Sequence, residues 1–98
     1  MAKVKVRPFD AAEFLRDEAE IGAFLDEAME SGDTRVIAAA LGAVARRRGM
    51  AKLAEETGLS RESLYRALSA DGNPEFGTVL KVAKALNVPL RFVPVAAE

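Results

Sequence analysis

The spacing of apolar positions divides the 98-residue chain into a series of short elements. Lys3, Val4, Lys5, Val6 and Arg7 alternate with period two, which predicts a short edge strand or an extended arm ahead of Pro8. Asp10 is placed to cap a short helix through about Leu15, and a second helix follows on which Ile21, Phe24, Leu25, Ala28 and Met29 recur at helical spacing. Ser31 and Gly32 end it. Asp33 or Thr34 caps the next helix, whose apolar stripe of Val36, Ile37, Ala40, Leu41 and Val44 runs into Arg46, Arg47 and Arg48 before Gly49 closes it. Met50 to Thr57 reads as a short helix with Leu53 and Ala54 inward. Gly58, Leu59 and Ser60 then lead into another short helix, from Arg61 to about Ser69. Asp71-Gly72-Asn73-Pro74 is a loop, with Pro74 suited to the first turn of a last helix whose stripe is Phe76, Val79, Leu80, Ala83 and Leu86. Leu90 to Val95 alternates again and predicts a short strand that Pro94 confines to an edge. A lone strand is unstable, so this one needs a partner: residues 3–7 of its own chain or the same strand in a second subunit.

The stretch from Met50 to Ser69 constrains function most. Two short helices joined by a glycine-containing turn, with an aliphatic residue at the turn, fit a helix-turn-helix. Each residue type meets a steric demand: Ala54 is small where the helices approach, Gly58 can take a positive φ, Leu59 fills the gap beneath the turn, and Ser60 caps the second helix. On that helix Leu64, Ala67 and Leu68 share the inward sector. Glu62, Arg66 and Ser69 then fall near the opposite pole, with Ser63 and Tyr65 flanking and Arg61 in the first turn. Arginine can hold guanine through two hydrogen bonds, serine can donate or accept, and glutamate can accept from the cytosine amino group, so this face suits base reading.

Composition narrows the chemistry. Half the residues are apolar and 30% are charged, which is ordinary for a folded domain of this length. With no cysteine and no histidine, the chain lacks disulfides, thiolate nucleophiles, imidazole bases and the usual zinc ligands. Ser31, Ser60, Ser63 and Ser69 sit at caps or on helix faces without a histidine to activate them, so the expectation is no enzyme and no cofactor. No stretch approaches the roughly 20 apolar residues of a membrane span. The start, Met1-Ala2-Lys3-Val4-Lys5, lacks the apolar core of a secretion signal, which predicts a cytoplasmic protein.

The net charge of −1 conceals a segregation. Residues 1–9 carry +3, residues 10–33 carry nine acids against Arg16, residues 34–66 carry seven bases against three acids, and residues 67–98 balance. Two surfaces for different partners follow as an expectation: a basic one for phosphates and an acidic one for a basic protein. Both runs also have ordinary structural reasons. Cations in a last turn, such as Arg46 to Arg48, complement the helix dipole, and acidic runs solvate helices.

Taken together, Ala40-Leu41, Arg46-Arg47-Arg48-Gly49-Met50, Ala54, Gly58-Leu59-Ser60-Arg61-Glu62-Ser63-Leu64-Tyr65, Ala67-Leu68-Ser69 and Gly72-Asn73-Pro74 resemble the addiction-module antidote proteins. These are antitoxins with a repressor-type helix-turn-helix of the phage-repressor superfamily, of the Xre/HigA type. The likeness extends upstream to Phe9-Asp10 and Ala23-Phe24-Leu25. It implies a bacterial antitoxin that neutralises a small basic toxin similar to the RelE/ParE superfamily and, as a homodimer, represses the shared operon. The implied fold is all-α, with five to six short helices, a lambda-repressor-like helix-turn-helix, and short edge strands near both termini.

Carried over by position, the recognition helix is Arg61 to Ser69, with Arg61, Glu62, Ser63 and Arg66 facing bases and Ser60, Tyr65 and Ser69 beside them. The N-terminus of the preceding helix, Met50 to Lys52, falls where backbone amides and a side chain meet phosphate, with Arg48 just before it. Glu62 departs from a basic DNA-facing surface, and either reads a cytosine or is positioned by Arg66 one turn away. The expected organisation is an arm and acidic helical segment over residues 1–33, a DNA-binding core over 34–88 and an extension over 89–98. Two further readings stay open. The acidic segment 10–33 is a surface that inhibits a basic toxin, with DNA binding secondary or lost, or the chain is a stand-alone Xre-family regulator with no toxin.

Overall fold

The computed structural model describes residues 17–88 and 90–96. Among them are five helices and no strand: α1 (Glu18–Glu30), α2 (Thr34–Arg48), α3 (Met50–Thr57), α4 (Arg61–Ala67) and α5 (Phe76–Ala85). The alternating residues 3–7 and the helix expected from Asp10 to Leu15 lie outside the described residues. None of the five helices is long and apolar enough to cross a membrane.

Local chemistry sets the boundaries of the first two helices. The Asp17 carboxylate accepts from the Glu20 N–H at 2.9 Å to start α1, and Ser31 closes it by donating to the Ala28 carbonyl at 2.6 Å. The same Ser31 hydroxyl accepts the Asp33 N–H, and Asp33 in turn caps α2 through the Arg35 N–H at 2.9 Å. Of the two cap candidates, Asp33 takes the role. That backbone hydrogen bond, with a lesser contribution from the Arg35 side chain 3.6 Å away, holds the Asp33 carboxyl below its ordinary range. Gly49 ends α2 and begins α3, bending the chain within one residue.

The α2 helix is the centre of the molecule. Ala38 and every residue from Ala40 to Ala45 are buried, because α1 packs on one side, α3 on another and the end of α4 on a third. The expected stripe of α2 was therefore too narrow, and its first member, Val36, is 44% exposed. Gly42 is where α2 meets α4: a methyl group there would fall on the Leu68 carbonyl oxygen. The core is completed by Ile21, Leu53, Leu64, Leu68, Val82 and Leu86, of which the last five are almost wholly buried. Each such side chain contributes about 1.5–3 kcal/mol by leaving water.

Three expectations need correction. The α5 helix begins at Phe76 after an extended Glu75, so Pro74 lies ahead of the helix rather than in its first turn. The loop needs those residues to leave α4, where Gly72 is pressed against the Arg66 and Ala67 carbonyls. The α5 stripe holds at Val79, Ala83 and Leu86 but not at its edges: Val82, outside the expected stripe, is fully buried, whereas Phe76 is 66% and Leu80 43% exposed. Finally, residues 90–96 form no strand and are exposed throughout. No strand lies beside them among the described residues, and Pro94 has no N–H to give to a ladder.

Arg48 joins the two ends of this core. Its guanidinium donates to the Ala85 carbonyl at 3.1 Å and the Leu86 carbonyl at 2.9 Å, two acceptors left over at the end of α5. The rest of that end closes as a Schellman motif: Asn87 takes a φ of 64°, its N–H reaches the Lys84 carbonyl and the Val88 N–H reaches the Ala83 carbonyl. Arg48→Ala should therefore lower stability by about 1–2 kcal/mol in thermal melts. Arg48→Lys should restore only part of the loss, since one ammonium cannot span both carbonyls as a planar fork does. An unchanged melting temperature with weakened DNA binding would instead give Arg48 a phosphate role.

Candidate nucleic-acid interface

The α3 and α4 helices are joined by three residues, and four local devices fix their geometry. Gly58 takes a φ of 79°, a left-handed conformation that a β-carbon disfavours. The Thr57 hydroxyl donates to the Leu53 carbonyl at 2.8 Å and accepts the Leu59 N–H at 3.2 Å, tying the end of α3 to the turn. Leu59 packs partly buried against the core. The Ser60 hydroxyl accepts the Ser63 N–H at 3.0 Å and donates to the Ser63 hydroxyl at 2.8 Å, so the first turn of α4 is fixed twice over. The role of Thr57 escaped the sequence reading, although a threonine just before a helix-ending glycine is the signal for it.

With Leu64 and Leu68 anchored in the core, the opposite side of α4 faces solvent. Arg61, Glu62, Tyr65 and Arg66 are exposed, and Ser63 is half-buried. The helix ends at Ala67, two residues earlier than expected, and Ser69 lies past its end, where its hydroxyl donates to the Arg66 carbonyl at 3.1 Å. Neither Arg61 nor Arg66 makes an ion pair among the described residues, and Glu62 is not paired with Arg66. Glu62 instead occupies the first turn of α4, where a carboxylate complements the helix dipole.

The structure brings Ser60, Arg61, Glu62, Ser63, Tyr65, Arg66 and Ser69 together on α4 and its flanks. The other three candidate residues are placed differently. Lys52 is exposed in the first turn of α3. The Met50 side chain is buried in the core, leaving only its backbone for a ligand. The Arg48 guanidinium is engaged with α5. The α1, α2 and α4 helices have a side chain capping their first turn, whereas α3, which begins at Gly49, and α5 have none. The first N–H groups of α3 are thus open to an external acceptor.

The described residues define a class: a small helical domain that presents one short helix from a three-residue turn, its first turn held by Ser60 and bearing two arginines that make no ion pair with the described residues. Comparison with known proteins makes the class specific. The model of a family described as probable addiction module antidote protein matches residues 5–94, and the chain belongs to that family. It is also 48% identical over 84 residues to a Haemophilus influenzae strain Rd protein described only as uncharacterized, covering 86% of this chain and 87% of that one. No solved structure matches the chain.

Proposed function

We propose that this chain is the antitoxin of a type II toxin-antitoxin module, a DNA-binding homodimer that represses its own operon and neutralises a toxin similar to the RelE/ParE superfamily. In this reading it acts by binding rather than by catalysis. Residues 34–88 are the DNA-binding core, with α3, the turn and α4 as a helix-turn-helix of the phage-repressor type. The observation that carries it is the α4 face: Arg61 and Arg66 project from a helix held by Ser60, Gly58 and a fully buried Leu64, with no ion pair of their own among the described residues. Structural arginines are normally spent on a neighbour, as Arg48 is; these two are free for a guanine edge or a phosphate.

Two such helices, related by a two-fold axis, would enter successive major grooves and read an inverted repeat with half-sites about 10 base pairs apart. The uncapped start of α3 would hold a phosphate between its amides and Lys52. That division of labour sets the test. Lys52→Ala should weaken binding to the DNA upstream of the gene and to scrambled DNA by the same factor, and lower the slope of log K against log salt by about one. Equal affinity of the unsubstituted protein for the two DNAs would refute sequence-specific reading.

A further inference from the structure

The apolar surface that the fold leaves outside is concentrated toward the C-terminus. Of the nine large apolar side chains exposed among the described residues, six lie from α5 onward: Phe76, Leu80, Leu90, Phe92, Val93 and Val95. Phe76 and Leu80 are one turn apart on α5, and neither belongs to the core that Val82, Ala83 and Leu86 help to build. Large apolar side chains clustered in water mark a contact surface.

The charges around this pair are arranged by sign. Asp71 and Glu75 precede α5, Lys81 and Lys84 lie in its second half, and all four are exposed. None of them makes an ion pair among the described residues, and the Glu75 carboxylate does not cap its own helix. The helix dipole favours this polarity, but it gives no reason for a phenylalanine and a leucine to stand in water between the two ends.

We propose that the exposed face of α5 is where two copies of the chain join, antiparallel about a two-fold axis that crosses the helix between Phe76 and Leu80. The proposal rests on the homodimer reading above and adds to it the surface that forms the pair. Counting outward from that axis, Phe76 faces the partner's Leu80, Glu75 faces the partner's Lys81, and Asp71 comes opposite the partner's Lys84 to within one position. One register thus covers the apolar pair and neutralises both ends. A parallel pair would set acid on acid and base on base, and a strongly basic or strongly acidic partner would satisfy one end and be repelled by the other. A ten-residue helix spans about 15 Å, so α5 alone falls short of the roughly 800 Å² per partner that a stable complex buries. The tail supplies more. It leaves the C-terminal end of α5, which in an antiparallel pair lies beside the N-terminal end of the partner's helix, and from Leu90 to Ala96 it carries no charge except Arg91. The contact uses none of the residues assigned to base reading on α4.

The test follows the mass of the full chain by sedimentation over a concentration series, with melting temperature and affinity for the upstream DNA measured beside it. Leu80→Glu should raise the dimer dissociation constant by about 100-fold, since it buries two carboxylates in an apolar contact, and Phe92→Glu should raise it by about tenfold. Phe76→Ser carries the test if Leu80→Glu lowers the melting temperature. Lys81→Glu with Lys84→Glu should weaken the dimer by about 10- to 100-fold, an effect that shrinks as salt rises. Adding Asp71→Lys and Glu75→Lys to that chain should restore the dimer, because the ends are again opposite in sign. Val36→Glu, at an exposed apolar position on α2, should leave the dimer intact. A dimer that survives both Leu80→Glu and Phe76→Ser, or a fully reversed chain that stays weak, overturns the α5 contact while the homodimer reading stands. A dimer unaffected by Phe92→Glu removes the tail from the contact. An unsubstituted chain that stays monomeric with and without the upstream DNA refutes the homodimer reading and the contact with it.

Discussion

Gly42→Ala is expected to destabilise the protein by about 3 kcal/mol, lowering the melting temperature by on the order of 12–20 °C for a domain of this size. The sign is opposite to the usual one. In a helix interior, glycine to alanine gains roughly 0.5–1 kcal/mol, because glycine loses more backbone entropy on folding. At Gly42 the added methyl would land on the Leu68 carbonyl oxygen. That atom belongs to backbone at the end of α4 and cannot swing aside as a long side chain would, so α2 and α4 must separate and the joint core of Leu41, Leu64 and Leu68 must loosen. Because α4 bears the exposed arginines, the folded fraction should also lose affinity for DNA. Gly22, in the middle of α1, supplies the control: nothing lies within 4 Å of a methyl group there, and Gly22→Ala should raise the melting temperature. Two glycine-to-alanine changes in helix interiors with opposite signs would locate the close approach of α2 and α4. A stabilising Gly42→Ala would remove it.

Arg61→Ala with Arg66→Ala should cost about 2–6 kcal/mol of specific DNA binding, at about 1–3 kcal/mol for each arginine if the two read separate base pairs. Each arginine alone then corresponds to a loss of about five- to 150-fold in affinity. The loss should be selective. Each single substitution should relax preference at its own base pair, as measured on a panel of substituted sites, whereas Lys52→Ala weakens all sequences alike. Stability should barely change, since neither guanidinium makes an ion pair with the described residues and both side chains are exposed. A large fall in melting temperature would mean instead that these arginines hold the fold.

The elements most legible in the sequence are those whose residues each do one local job. Gly58 can end α3 because its positive φ is locally available, Ser60 caps α4 through a bond three residues away, and Leu64 and Leu68 point inward by period alone. The bounds of α2 follow likewise from Asp33 and Gly49. What the sequence hid depends on distant parts of the chain. The role of Arg48 requires the end of α5, 37 and 38 residues away, and without that partner a cation beside Arg46 and Arg47 reads equally well as a phosphate ligand. Gly42 reads as an unremarkable helix residue until Leu68 is brought against it. The α5 helix is apolar over more than half its circumference, so the pattern sets Ala83 and Leu86 inward without fixing the edges of the stripe; packing on α3 buries Val82 and leaves Phe76 and Leu80 outside. The surface that α1 and α2 form together was hidden similarly, since alanines at 39, 40 and 43 say nothing of what stands beside them until α1 folds back along α2.

The central claim is that α4 reads an operator, and footprinting on the DNA upstream of the gene tests it most directly. The account predicts two protected patches on one face of the duplex, their centres about 10 base pairs apart, arranged as an inverted repeat. Protection should disappear for the Arg61→Ala, Arg66→Ala chain and persist for the Gly22→Ala chain. No protection of that DNA, or protection that survives loss of both arginines, would contradict it.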